Sequence, residues 1–210
     1  MKVDINKIFE ILEKYYPERN PFITYMNSLK DPFKILLACI LSLRTRDTVT
    51  YGTAHRLFIL GSKPEDFLKY SEEDIIKAIY PAGFYQNKAK VILNICIDLV
   101  TKYDSKVPDD IEELLKFKGV GRKTANLVIG KGYGKPAICV DIHVHRICNR
   151  LGYVKTKTPD QTEMELRNKL PQKYWLEINE LFITHGQNIC VPVGPKCNIC
   201  PIADYCMKLI

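Results

Sequence analysis

The dominant period along this 210-residue chain is helical. Ile5, Ile8, Ile11, Leu12 and Tyr15 form one apolar stripe, and Ala89, Ile92, Ile95, Cys96, Leu99 and Tyr103 form another. Both follow the three- and four-residue spacing of a helix face. Asp31-Pro32 ahead of residues 33–43 reads as a side-chain cap with proline at the first helical position. Further helices are expected over 47–59, 71–79, 109–116, 122–131, 141–151, 159–169 and 174–187. Pro81, Gly83, Pro108, Gly132, Gly134 and Pro136 punctuate the gaps. No period-two series with turn residues argues for strands, so the fold class is all-α. There is no internal repeat or low-complexity tract, and two helical bodies are expected to meet near 132–136.

Composition narrows the function only coarsely. Hydrophobic residues make up 46% and charged residues 26%, the values of a globular chain rather than a disordered one. Lys plus Arg is 31 against Asp plus Glu 24, a formal charge of +7. That surplus permits a polyanionic partner without establishing one. The longest apolar run, 35–41, is far too short for a bilayer, so no membrane association is expected. Residues 1–20 alternate charged and apolar groups, unlike a secretory leader, which points to an intracellular location. The eight cysteines then do not read as a disulfide framework. Cys39, Cys96, Cys139 and Cys148 sit in apolar surroundings and read as small buried hydrophobes.

The remaining four cysteines crowd the C-terminal end. Cys190, Cys197, Cys200 and Cys206 fit C-x6-C-x2-C-x5-C, within a stretch carrying Pro192, Gly194, Pro195 and Pro201. Four thiolates converge only if something offsets their repulsion and the entropy of ordering them, as a metal centre does. Zinc sites usually offer two close C-x2-C pairs. Only one close pair exists here, and the wider spacing of its companions suits the corners of a [4Fe–4S] cubane. A four-thiolate zinc ion and unligated thiols stay open as alternatives.

Residues 110–131 place a short amphipathic helix before Gly119-Val120-Gly121 and a second helix from about Arg122. Two phosphate motifs fail on this segment. A Walker A loop needs Gly-Lys-Ser/Thr contiguous, but Arg122 intervenes, and Thr124 stands where a dinucleotide fingerprint needs its third glycine. What remains is a Gly-x-Gly hairpin that exposes backbone N–H groups at a helix start, where phosphate binds, or else a helical corner with glycine for steric reasons. Lys123 falls in the first turn of the second helix. The helix dipole and Arg122 both disfavour an ammonium there and favour the free amine of a nucleophile. Asp141 follows 18 residues later in Val140-Asp141-Ile142-His143-Val144-His145-Arg146.

Taken together, the Gly-Val-Gly-Arg-Lys-Thr-Ala-Asn hairpin, the Val-Asp-x-His segment with Arg146 three residues on, and the cysteine motif resemble the endonuclease III branch of the helix-hairpin-helix DNA glycosylases. The likeness spans about residues 25–206. It implies a six-helix barrel domain over 25–135, a cluster domain made of 1–24 and 136–210, and a cleft between them for DNA. It places the family's catalytic lysine on Lys123, its catalytic aspartate on Asp141, and a [4Fe–4S] cluster on the four cysteines. The implied enzyme is a monomeric, cytoplasmic, nucleoid-associated base-excision repair protein acting on double-stranded DNA with damaged bases or abasic sites. It would be a bifunctional glycosylase and AP lyase for oxidised pyrimidines, working through a Schiff base and β-elimination. The monofunctional adenine glycosylases of the same group lack the lysine and usually carry a further C-terminal domain. Lys123, and an end only four residues past Cys206, are therefore expected to mark the lyase branch. The alternatives are a monofunctional mismatch or adenine-type glycosylase and a non-catalytic iron–sulfur DNA-binding protein.

DNA contacts implied by the resemblance fall on Gly119, Val120, Gly121, Arg122 and Thr124 in the hairpin, on Lys88, and on His143 and Arg146. In the Leu-Ser-Leu-Arg-Thr-Arg-Asp segment, Arg44 stands where the family places the Gln that fills the hole left by the flipped base. In Gly-Phe-Tyr-Gln-Asn-Lys-Ala, Phe84 stands at the intercalating wedge, with core packing as the alternative. Both depart from the family's usual choices. Lys118 replaces the proline that commonly precedes the first hairpin glycine, so a looser approach to the turn and a further phosphate contact are expected. His143 and His145 lie two apart and make a poor metal pair. Asp141 also reads as an N-cap, and Trp175 as a core residue.

Overall fold

The computed structural model describes residues 3–18 and 21–209. Among these residues all regular structure is helical. In chain order the helices are α1 (Ile5–Tyr15), α2 (Pro21–Ser28), α3 (Pro32–Ser42), α4 (Asp47–Leu60), α5 (Pro64–Phe67) and α6 (Glu72–Ile79). They continue with α7 (Tyr85–Lys102), α8 (Ile111–Leu114), α9 (Arg122–Leu127), α10 (Ile142–Leu151), α11 (Pro159–Lys169) and α12 (Glu177–Asn188). The chain divides into two compact units, Pro21–Lys135 on one side and Met1–Asn20 with Pro136–Ile210 on the other. The first unit therefore begins at α2, not at residue 25, because α2 packs on α4.

In the Pro21–Lys135 unit, α3 is buried nearly all round, from Phe33 to Leu41 except at Lys34. A helix apolar on every side belongs at a centre, and α3 indeed packs on α4, α7 and α9. Its start is set by Asp31, whose Oδ1 accepts the Phe33 N–H at 2.8 Å, with Pro32 in the first turn. Ser71 and Asp74 form a reciprocal capping box at the start of α6. Beyond α9 the chain widens into a π-helical turn, Val128–Gly132, against α3. A side chain on Gly132 would meet Pro32 at 3.1 Å, so the chain passes close here.

The other unit is built on amphipathic helices. α1 buries Ile5, Ile8, Phe9 and Leu12 against Val144, Ile147, Cys148 and Leu151 of α10 and Ile178, Leu181 and Phe182 of α12. Phe9 stacks on Tyr174 with ring centroids 3.9 Å apart. Burial of one such aromatic contributes about 1.5–3 kcal/mol. Gly152 ends α10 in the left-handed region, with φ 75°. Trp175 is not a core residue: it lies half-buried at the core's edge, its indole N–H donating to Leu170 O at 2.9 Å and its ring under Arg167.

Candidate functional site

The hairpin forms as two short helices about a tight turn. Asp110 caps α8 through the N–H groups of Glu112 and Glu113, and the Val120 N–H closes the turn onto Phe117 O at 3.0 Å. The two glycines differ in what they do. Gly119 has φ 87°, and a side chain on it would press Val91 at 3.1 Å. Gly121 meets nothing within 4 Å, so its missing side chain serves no internal packing. It leaves an exposed backbone ahead of α9. Arg122 and Lys123 follow, each half-exposed, while Thr124 is only 2% exposed and Val120 is also buried. The side chains of Val120 and Thr124 therefore turn inward and support the turn, which leaves only backbone to face outward at these two positions. Under Lys123 lies Cys39 of α3. Burial pushes this thiol up to about 12, and the lysine's charge pulls it the other way.

A second part of the same unit joins two loops. Arg44 and Phe84 both adopt the left-handed backbone, with φ 52° and 58°. Such non-glycine residues carry strain that surrounding structure must hold. Phe84 is 59% exposed, which excludes the core reading, and the Arg44 guanidinium lies 5.4 Å from its ring centre. A side chain on Gly83 would sit 2.3 Å from the Arg44 carbonyl, so only glycine lets the loops meet. Lys88 is not a DNA contact. It is 6% exposed, its Nζ is surrounded by oxygens of the 41–45 turn, and burial pulls its pKa down to about 8.

In the other unit Asp141 caps α10, its Oδ1 accepting from the N–H groups of His143 and Val144 at 2.8 and 3.0 Å. It is 7% exposed, and the cap fixes the carboxylate's orientation. Arg146 is not free for a phosphate. Its guanidinium donates to Cys190 O and Gly186 O and contacts His143 Nδ1. His143 and Arg146 thus fasten α10 to the end of α12. A side chain on Gly186 would meet His143 Nδ1 at 2.4 Å. His145 faces elsewhere, onto Thr162, so the two imidazoles are not paired.

Cys190, Cys197, Cys200 and Cys206 line one cavity of about 390 Å³, counting its mouth, with Ile147, Leu151, Ile189 and Ile202. The sulfurs feel one another: burial raises the Cys200 and Cys206 thiols, and the neighbouring cysteines raise them further. Several N–H groups turn toward sulfur. Arg150 Nη1 lies 3.4 Å from Cys190 Sγ and the Lys208 N–H 3.3 Å from Cys206 Sγ. His185, held neutral by burial with a pKa near 4, sits between Tyr16 Oη at 3.1 Å and Cys200 Sγ at 3.7 Å. Among the described residues no three His, Cys, Asp or Glu side chains converge on a single-ion site. Arg150 and His185 escape a reading of the sequence, and Lys88 is named there in another role, because their partners are backbone atoms or distant residues.

Comparisons with known proteins agree with this geometry. The model of the HhH-GPD superfamily of base excision DNA repair proteins matches residues 37–172. Endonuclease III of Thermotoga maritima is 46% identical, over 84% of this chain and 83% of its own length. That of Rickettsia conorii is 39% identical over 96% and 94%. Among solved structures, a non-covalent endonuclease III–DNA complex superposes with a TM-score of 0.86 at 32% identity, covering 97% and 94% of the two chains. A thermostable thymine-DNA glycosylase gives 0.85 at 25%, covering 96% and 95%. With these likenesses the chain belongs to the HhH-GPD superfamily, and within it to the endonuclease III family of base-excision DNA glycosylases.

Proposed function

We propose that this glycosylase excises oxidised pyrimidines from double-stranded DNA and then cleaves the abasic strand as a lyase. The carrying observation is Lys123, half-exposed in the first turn of α9, two residues after the open backbone of Gly121. The chemistry requires the nucleotide to leave the stack, because its C1′ is shielded within the duplex. The Lys123 amine attacks C1′, and the bond to the base breaks with its electron pair leaving on the base, which takes up a proton. Ring opening gives the Schiff base. Loss of a C2′ proton then expels the 3′ phosphate, and water releases the lysine. Asp141 stabilises the positive charge that develops on the sugar, its carboxylate pre-oriented by the cap. The backbone of Gly119 and Gly121, with Arg122, holds phosphate. The solved relatives in complex with DNA, one of them a trapped covalent intermediate, support this reading.

The same reading gives Cys190, Cys197, Cys200 and Cys206 a [4Fe–4S] cluster. When bound, it supplies iron corners that neutralise four thiolates and so order the loop. The cavity that the four sulfurs line supports this.

Borohydride reduction in the presence of abasic DNA tests the lyase. A covalent adduct is expected with the wild type and none with Lys123→Gln. Base release without an adduct or strand break would favour the monofunctional reading. Asp141→Asn retains a good cap, so stability should stay within about 0.5 kcal/mol, while turnover falls at least roughly 100-fold as the charge is lost.

A further inference from the structure

Lys88 stands one turn after Phe84 on α7. An ammonium out of water is costly unless each N–H finds an oxygen. Here Nζ donates to Leu41 O and Leu43 O, both at 2.6 Å, and to Thr45 Oγ1 at 2.7 Å. Three donors meet three acceptors, one in the last turn of α3 and two in the link to α4. Because α3 ends at Ser42, carbonyls of its last turn lack helical partners, and the negative end of the helix dipole points at the lysine. An apolar side chain would fill the space but leave those carbonyls unmet. Thr45 extends the bond across to the second loop: its hydroxyl also accepts the Gly83 N–H at 3.0 Å. One ammonium therefore ties together the turn carrying Arg44 and the loop carrying Phe84, the two residues held in left-handed backbone.

We propose that Lys88 is a positioning residue, an internal brace that sets how far Arg44 and Phe84 project as a joined wedge, and so governs recognition of lesions in duplex. This rests on the glycosylase and lyase reading given above. It separates Lys88 from the catalytic lysine. Lys123 acts on the sugar, and Lys88 acts only through the shape of two loops.

Two variants of the full chain test the brace. Lys88→Met keeps the length and removes every donor. Thr45→Val removes the link to Gly83 together with one of the three Lys88 acceptors, and Thr45→Ser restores both, which keeps the test intact should Lys88→Met fail to fold. Amide exchange without DNA is the first readout. The 42–46 and 82–85 segments of Lys88→Met and Thr45→Val should exchange roughly tenfold faster, the effect of losing a hydrogen bond to a charged group, with the middle of α7 unchanged. The second readout compares an abasic site in duplex with the same site in a single strand, where no wedge is needed. The duplex-to-single-strand ratio of cleavage should fall about tenfold in both variants and stay near wild type in Thr45→Ser. In parallel, the fluorescence rise of 2-aminopurine beside the duplex site should be lost.

Unchanged exchange in both loops overturns the brace. An equal fall on duplex and single strand overturns its role in lesion recognition. A wild-type protein inert on both substrates overturns the reading of the reaction instead, and the exchange result still decides the brace.

Discussion

The turn between α3 and α4 presents carbonyl and hydroxyl oxygens to a lysine of the same unit, whereas the loop from Cys190 to Cys206 presents four sulfurs to one another. Both segments are largely irregular, the second broken only by two 3-10 turns, Cys197–Ile199 and Ala203–Tyr205. The first is complete as folded: each N–H of the ammonium meets an oxygen, and the second loop closes on it through Thr45 and Gly83. The second is only half provided for. Arg146 and Arg150 grip the carbonyls of Cys190, Val191 and Pro192, yet the thiols raise one another's pKa around a shared cavity. On the readings proposed above, a loop of the first kind depends on one side chain, and a loop of the second kind depends on a ligand from outside.

Removing a sulfur should break the comparison most severely. Cys200→Ala is expected to lose iron and to destabilise its unit by about 4 kcal/mol or more, seen as a fall in Tm of roughly 10 °C by calorimetry. If the variant keeps full iron content and melts like the wild type, the loop does not need a ligand. Gly83→Ala attacks the other segment. Its Cβ would stand 2.3 Å from the Arg44 carbonyl, so backbone must shift, at a cost of about 1–3 kcal/mol. Urea unfolding should show a lower midpoint with the slope retained, and iron content should not change.

The smallest effect is the sharpest. Lys88 titrates near 8 in the folded protein against an ordinary 10.5. Between those values the unfolded chain holds more protons than the folded one. Stability from this group therefore rises with pH across that window, and the penalty for burying its charge is fully present only below it. A local opening that hydrates the amine obeys the same linkage, so the 42–46 segment should gain protection over the same window. Exchange measured from pH 7 to 10, corrected for intrinsic rate, checks this. Lys88→Met should abolish the pH dependence of both quantities.

Much of the fold can be read from the chain, because helix periodicity and caps are written in side chains. Asp31, Ser71, Thr158 and Asp141 each accept the N–H bonds that their positions announce. The cysteine spacing likewise announces a shared cavity. Other features are invisible for a physical reason. A lysine in a polar segment reads as solvated, and Lys88 binds carbonyls, which every residue carries and no sequence distinguishes. Arg146 reads as a phosphate ligand for the same reason, yet Cys190 O takes its guanidinium. Thr124 follows Lys123 in the motif, but one residue on a helix is a turn of about 100°, enough to bury it. The π-turn after α9 has no pattern of its own and is set by the close passage of Gly132 over Pro32.

The tight approach at Gly83 bears on how such an enzyme is redesigned. That position admits no side chain, and Lys88 occupies the oxygens behind it, leaving Arg44 and Phe84 as the two surface positions where chemistry can be exchanged on a fixed mount. If Arg44 and Phe84 meet the bases as proposed, a library confined to residues 44 and 84 samples new base preferences while the supporting backbone stays as it is, whereas randomising the glycine or the lysine spends most of its members on proteins whose mount has come loose.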